Sequence, residues 1–419
     1  MDQRKFIGFR CSLCRTEFNF DEVTYVCPQD RGNLDVKLDY EGIKQVTSPE
    51  SIWASQEGSL WRYLPLLPVG DPGGENTPLR AAGWTPTYAP LGLRMQLGLQ
   101  QFWVKDESRN PTASFKDRAS AIVVARAQEI GAEVVVTAST GNAGAALAGM
   151  AAAVGQKAVI FAPRTAPPAK VAQLLVYGAR VLLVDGNYDQ AYDLALLAAQ
   201  EFGWYNRNTG YNPFTAEGKK TAAFEIWENI LIHESSGRPL AIFVSVGDGN
   251  IISGLHKGFK DLQALGWLER MPRIFGVQSE GSAAVANAFA AGTEVISAVD
   301  SKTIADSISV DLPRDGVRAV RAARETDGAY ITVSDAEILA AIPSLGRAGI
   351  FAEPAGATSF AGLVKAMEQD QISPQDPVLV LNTGSGLKDV NAARRAVNEP
   401  PVIEPTLAAV ERALETIHD

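Results

Sequence analysis

Histidine is nearly missing from this chain. His233, His256 and His418 are the only three in 419 residues. A histidine cluster for a catalytic metal and a Ser-His-Asp site are both excluded. Cysteine is as scarce, with three residues at positions 11, 14 and 27. The charged start Met1-Asp2-Gln3-Arg4-Lys5 leads into no apolar stretch of the kind a secretion signal needs, so a reducing, cytoplasmic compartment is expected and a disulfide framework is not. Nowhere do 18 consecutive apolar residues occur, so no membrane partner is expected. Positive charge is in deficit, 38 Lys and Arg against 48 Asp and Glu, for a net charge of −10. Nucleic-acid binding depends on basic patches that release counterions, which argues against such a partner. An anionic small molecule must instead be held by a few local lysines or arginines. Internal repeats and low-complexity stretches are also missing.

What the chain does have is length and apolar content. At 419 residues and 46% hydrophobic it is long enough for two lobes with separate cores and a cleft between them. Short apolar runs alternate with helical patterns, which predicts parallel sheets covered by helices. Residues 134–138, 157–162 and 181–184 are strands of one lobe, with helices at 143–154 and 169–177. Residues 241–246, 274–277 and 378–381 are strands of another. The expected domains are an appendage over residues 1–45, a large lobe built from 46–109 and 206–399, a small mobile lobe over 110–205, and a C-terminal helix over 400–419.

In the appendage, Cys11-x2-Cys14 is followed twelve residues later by Cys27-x2-Asp30. Two knuckles at this spacing suit tetrahedral zinc, but an aspartate stands where the fourth ligand belongs. The preferred reading is a degenerate, zinc-ribbon-like fold without metal; the alternative is a Cys3Asp site of Cys11, Cys14, Cys27 and Asp30.

Two further segments carry chemistry. Asn110-Pro111-Thr112-Ala113-Ser114-Phe115-Lys116-Asp117-Arg118 is followed, about one βα unit later, by Ser139-Thr140-Gly141-Asn142-Ala143-Gly144 at the mouth of an alanine-rich helix. A lone lysine is normally a solvated charge, but this pair resembles the cofactor-anchoring lysine and substrate-carboxylate loop of the pyridoxal-phosphate enzymes of the tryptophan synthase β class. The run Gly247-Asp248-Gly249-Asn250-Ile251 follows a strand and opens an amphipathic helix, so its backbone N–H groups converge on an anion. Its spacing is G-x-G-x4-G, not the dinucleotide G-x-G-x-x-G, which favours a cup for one phosphate. After the last strong strand comes Thr383-Gly384-Ser385-Gly386. A neutral hydroxyl at Thr383 facing a pyridine nitrogen cannot hold it protonated, and such a site favours elimination and replacement over transamination.

Together with Glu217-Gly218-Lys219-Lys220-Thr221, Ser334-Asp335-Ala336-Glu337, Phe351-Ala352-Glu353-Pro354-Ala355 and Thr383 to Asp389, these motifs make the chain similar to the threonine synthase family over residues 11–395. The resemblance implies an α/β, two-lobed, fold type II enzyme dependent on pyridoxal 5'-phosphate. It implies Lys116 as the catalytic lysine and covalent anchor. Phe115, Asn142, Gly247, Asp248, Gly249, Asn250, Ile251 and Thr383 would be the other cofactor residues, and Ser139, Thr140, Asn142, Ala143, Lys219 and Lys220 the substrate residues. The expected reaction is loss of phosphate from O-phosphohomoserine and addition of water to give threonine, in a homodimer acting on a small amino acid. Three positions depart from the family's phosphate grip, which places a hydroxyl, a serine and an arginine where Ala143, Gly210 and Thr215 stand. Lys219, Lys220 or Arg314 would compensate, or the enzyme would carry out β-elimination or β-replacement on a β-substituted amino acid. A non-catalytic cofactor-binding protein is the third reading.

Overall fold

The computed structural model describes residues 5–234 and 236–416. Three sheets organise them. The first is small and antiparallel, ordered β2-β1-β3, from β1 (Phe6–Cys11), β2 (Glu17–Asn19) and β3 (Leu34–Leu38). Cys11 ends β1 and the two connecting segments hold Cys14 and Cys27, and the alternating burial of Leu34, Val36 and Leu38 seats one face on the main core.

The second sheet runs β12-β11-β10-β13-β5-β4. Its members are β4 (Thr87–Tyr88), β5 (Gln101–Asp106), β10 (Ala241–Ser245), β11 (Arg273–Ser279), β12 (Tyr330–Val333) and β13 (Pro377–Asn382). All neighbours are parallel except β4, which pairs antiparallel to β5 at the edge. Every residue of β10 and β13 is buried, because helices cover both faces of the sheet; this is why these strands read as continuous apolar runs in the sequence. The third sheet, ordered β8-β7-β6-β9, is wholly parallel and consists of β6 (Val134–Ala138), β7 (Lys157–Pro163), β8 (Arg180–Val184) and β9 (Tyr205–Asn206).

Ligands in open parallel sheets bind beyond the carboxyl ends of the strands, and the chain places its unusual turns there. β6 leads to Ser139, β9 to Arg207, β10 to Gly247 and β13 to Thr383. Between the two parallel sheets lies the helix Lys116–Glu129, almost entirely buried. The helix Phe214–Lys219 crosses it so closely that a Cβ at Gly218 would lie 2.1 Å from the Arg118 carbonyl oxygen. The C-terminal helix spans Leu407–Thr416; residues 417–419, with His418, lie outside the described residues.

Candidate active site

Lys116 opens its helix from a turn that is tied down on both sides. The Phe115 N–H donates to the Thr383 carbonyl at 2.9 Å, and the Ser385 N–H donates to the Ala113 carbonyl at 3.1 Å. The Asp117 carboxylate accepts from the Thr112 N–H at 2.7 Å and from the Thr112 hydroxyl. Ala113 takes a φ of +64°, a left-handed turn that L side chains seldom adopt and that these bonds enforce. Arg118, next in the motif, turns away into a fully buried cluster. It pairs with Glu107 at 2.7 Å and with Glu225, and Lys105 reaches Glu225 at 2.7 Å.

The lysine side chain enters a cavity of about 820 Å³. Phe115, Lys116, Ser139, Thr140, Asn142, Ala143, Lys219, Gly247, Asp248, Gly249, Asn250, Ile251 and Thr383 all line it. Lys220 does not. Its amine is 2.8 Å from Asp261 and also paired with Glu217, inside a buried ion cluster that Lys257 completes. Adjacent residues on a helix point about 100° apart, so Lys219 and Lys220 cannot share one site. The assignment of Lys220 to substrate is therefore corrected to a structural role.

At the carboxyl end of β10 the chain forms a cradle. Gly249 has a φ of +89°, and a Cβ on it would lie 2.7 Å from the Asp315 carbonyl oxygen; one on Gly247 would lie 2.9 Å from Ile308 Cα. The helix Asn250–Ala264 starts there, presenting backbone N–H groups and its positive dipole end. Lys219 Nζ sits 2.5 Å from Asn250 Oδ1, and Asn250 Nδ2 donates to Asp315 at 2.7 Å. Burial, then the charges of Lys116 and Arg207, hold the Lys219 ammonium well below its usual range. Asp248 contributes a carboxylate that accepts from the Arg314 N–H at 3.3 Å and is raised by burial.

The hydroxyls of Ser245 and Thr383 stand 3.5 Å apart at the carboxyl ends of β10 and β13. The Asn142 amide donates to Glu353 at 2.8 Å and to the Ser307 hydroxyl at 3.3 Å. Burial raises Glu353 to about 7 despite the opposing pull of Lys388 and Asn142. Burial and the Arg207 charge lower Lys116 to about 8, against Asp248 and Glu353. A lysine that sheds its proton readily, a helix-start cradle with a second lysine amine beside it, and neutral hydroxyls on the cavity wall fit pyridoxal phosphate as a donor set.

Sequence reasoning missed Arg207 and, although it quoted Glu353 within a motif, gave that residue no site role. The Arg207 side chain is fully buried, with Nε donating to Ser120 at 3.1 Å and Nη1 to Thr209 at 2.8 Å. Nη2 has no hydrogen-bond partner among the described residues, and none of their ion pairs includes Arg207. Burial lowers it to about 10. No motif marked it; the signal lies in the missing partner, which only the fold reveals. Arg314 also lines the cavity, over the Tyr192 ring and 3.4 Å from Asp189. Gly210 and Thr215 are not cavity residues. Gly210 has a φ of +72° with Arg314 Cβ 2.6 Å from where its own Cβ would be, and the buried Thr215 hydroxyl donates to the Asn212 carbonyl at 2.7 Å.

Comparison with known proteins agrees with this geometry. The family described as pyridoxal-phosphate dependent enzyme matches residues 79–384. The chain is 38% identical over 411 residues to a threonine synthase of Methanocaldococcus jannaschii, covering 97% of this chain and 99% of the relative. It is 36% identical to one of Methanosarcina acetivorans, covering 97% and 98%. Among solved structures, threonine deaminase isoform 2 from Solanum lycopersicum superposes with a TM-score of 0.64 at 23% identity, covering 75% of this chain and 87% of that one, which supports the fold. A lysine on a cradle-and-hydroxyl frame, with relatives matched almost end to end, shows that the chain belongs to the pyridoxal-phosphate dependent enzymes, within their threonine synthase family.

Proposed function

We propose that this enzyme eliminates phosphate from O-phosphohomoserine and adds water to give threonine, with Arg207 as the anion ligand that replaces the family's usual grip. The observation that carries the reading is a buried guanidinium with a free Nη2, in the same cavity as Lys116 and without a carboxylate partner. A buried cation without a counter-ion is costly unless an anionic ligand completes it. An uncharged β-substituent would not need it. Arg314, at the cavity edge, gives a second positive group on the same side as Asp189 and Tyr192.

Bound pyridoxal phosphate supplies the electron sink that stabilises negative charge at the substrate's Cα. Lys219 and the N–H groups from Gly249 to Ile251 would hold its phosphate, and Ser245 and Thr383 would face its ring nitrogen. Ser139, Thr140 and the start of the helix Asn142–Ala152 would hold the substrate carboxylate through hydroxyl and N–H donors. Lys116, neutral above about 8 and partly so below it, takes the proton from Cα and returns protons to the carbon skeleton. Glu353, titrating at about 7 beside Asn142, is placed to pass protons within the cavity. The cytoplasmic, homodimeric assembly expected from the sequence belongs to this proposal; no described helix is long and apolar enough to cross a membrane.

Arg207→Met is the direct test. A charge-assisted hydrogen bond contributes about 1.5–3 kcal/mol, so kcat/KM for O-phosphohomoserine should fall by roughly 10- to 150-fold with cofactor absorbance retained. An unchanged kcat/KM would remove Arg207 from the site. Turnover of O-phosphoserine or serine by the parent, with none of O-phosphohomoserine, would make β-elimination the reaction.

A further inference from the structure

Outside the cavity lining, at the antiparallel sheet, Cys11, Cys14, Cys27 and Asp30 bring one ligand atom each to within 4.8 Å of one another. The spacing inside the cluster is specific. Cys14 Sγ and Cys27 Sγ are 3.7 Å apart, and Cys11 Sγ lies 3.3 and 3.5 Å from the two Asp30 oxygens. With zinc–sulfur bonds of about 2.3 Å and zinc–oxygen bonds of about 2.0–2.2 Å, the edges of a tetrahedron come out near 3.8 Å for two sulfurs and about 3.5–3.7 Å for sulfur and oxygen. The three cysteines are free thiols, so no disulfide accounts for the approach.

The backbone is shaped around that centre. The two turns repeat one construction: the Cys11 N–H donates to the Thr16 carbonyl at 2.9 Å, and the Cys27 N–H to the Gly32 carbonyl at 3.0 Å. The Leu13 N–H points at Cys11 Sγ at 3.3 Å, a donor that stabilises a thiolate. Asp30 is oriented by the N–H groups of Gly32 at 2.8 Å and Cys14 at 3.1 Å, the kind of outer-shell support that fixes a metal ligand. A side chain at Gly32 would put Cβ 2.8 Å from Cys11 Sγ and 2.9 Å from Asp30 Oδ1, so glycine lets the four ligands close. The aspartate that breaks the all-cysteine pattern thus occupies the fourth corner.

We propose that Cys11, Cys14, Cys27 and Asp30 bind one structural zinc ion, closed to substrate because all four positions come from protein. Binding would release the three thiol protons to solvent and leave the metal's oxidation state unchanged. The sheet it would stiffen grips the elements that carry the cavity. Asn33 Nδ2 donates to the Gly210 carbonyl at 2.5 Å and to the Arg314 carbonyl at 3.1 Å. The Tyr25 hydroxyl accepts from the Asn206 N–H at 2.9 Å, and its ring stacks on Tyr211 at 4.7 Å. The metal's role is a brace, independent of which amino acid the enzyme takes.

The test is metal content of the full-length, cofactor-loaded protein after exposure to zinc chloride and desalting. One zinc per chain is expected, lost in Cys14→Ser and in Asp30→Ala. Asp30→Cys, which completes an all-thiolate set, should keep it. Cobalt(II) in place of zinc should give thiolate charge-transfer bands and tetrahedral ligand-field absorption. Retained cofactor absorbance reports folding of each variant. A parent that holds no zinc while its three thiols stay open to a thiol reagent overturns the proposal. So does a Cys14–Cys27 disulfide in the purified protein, or zinc that persists in the folded Cys14→Ser and Asp30→Ala variants.

Discussion

At Lys116 burial and the neighbouring Arg207 charge act together against Asp248 and Glu353, and the amine titrates at about 8. Only the neutral amine attacks an aldehyde, so the rate at which cofactor-stripped protein captures pyridoxal phosphate should rise with pH through about 8 and then level off. Stopped-flow absorbance would show this; a rate still climbing near the ordinary lysine value of about 10.4 would mean that the amine is not perturbed. Arg207 is the residue that sequence could not supply. An arginine outside any motif has no visible role, because its role here comes from lacking a carboxylate. Lys219 and Lys220 show the converse: the motif names both, and only helical geometry separates the one that faces the cavity from the one locked to Asp261.

The elements that hold the site were the more legible part. β10 and β13 are continuous apolar runs because helices cover both faces of their sheet, while β9 has two residues and β12 four, too short to carry a period. What joins the helix Lys116–Glu129 to the helix Thr221–Ile226 was not legible at all: the buried cluster of Arg118, Glu225 and the pair Lys105 and Glu107, drawn from three separate segments. Burial alone would raise Glu225, but Arg118 and Lys105 outweigh it and depress the carboxyl to about 2. Its contribution is complete above the unfolded value near 4.5 and fades as pH falls toward 2. Glu225→Gln leaves two buried cations short of one charge and should lower unfolding free energy by about 3–5 kcal/mol near neutrality. Urea titrations should give a difference from the parent that is constant above about pH 5 and shrinks below it. A variant as stable as the parent at pH 7 would mean that the cluster relaxes without loss.

On the scale of the whole molecule, the two parallel sheets, the lysine motif and the glycine cradle followed from pattern and from resemblance to a family. The union of the cysteine turns with the cavity did not, because contacts such as Asn33 to Arg314 join residues 281 positions apart. The same long-range assembly crowds Lys116, Lys219 and Arg207 around one space, each lowered by burial, with Arg207 adding to the depression of both lysines. In thermodynamic terms the folded chain is linked to anion concentration: a ligand that binds only the native state stabilises it by RT ln(1 + [L]/Kd), about 2.7 kcal/mol at a hundredfold excess over Kd. Inorganic phosphate should therefore raise the melting temperature of cofactor-stripped protein by several degrees, and sodium chloride of equal ionic strength should not. Equal shifts in scanning calorimetry would dissolve the link. The same affinity makes phosphate, released in the proposed reaction, an inhibitor competitive with substrate, so flux through this enzyme would slow as its own product accumulates.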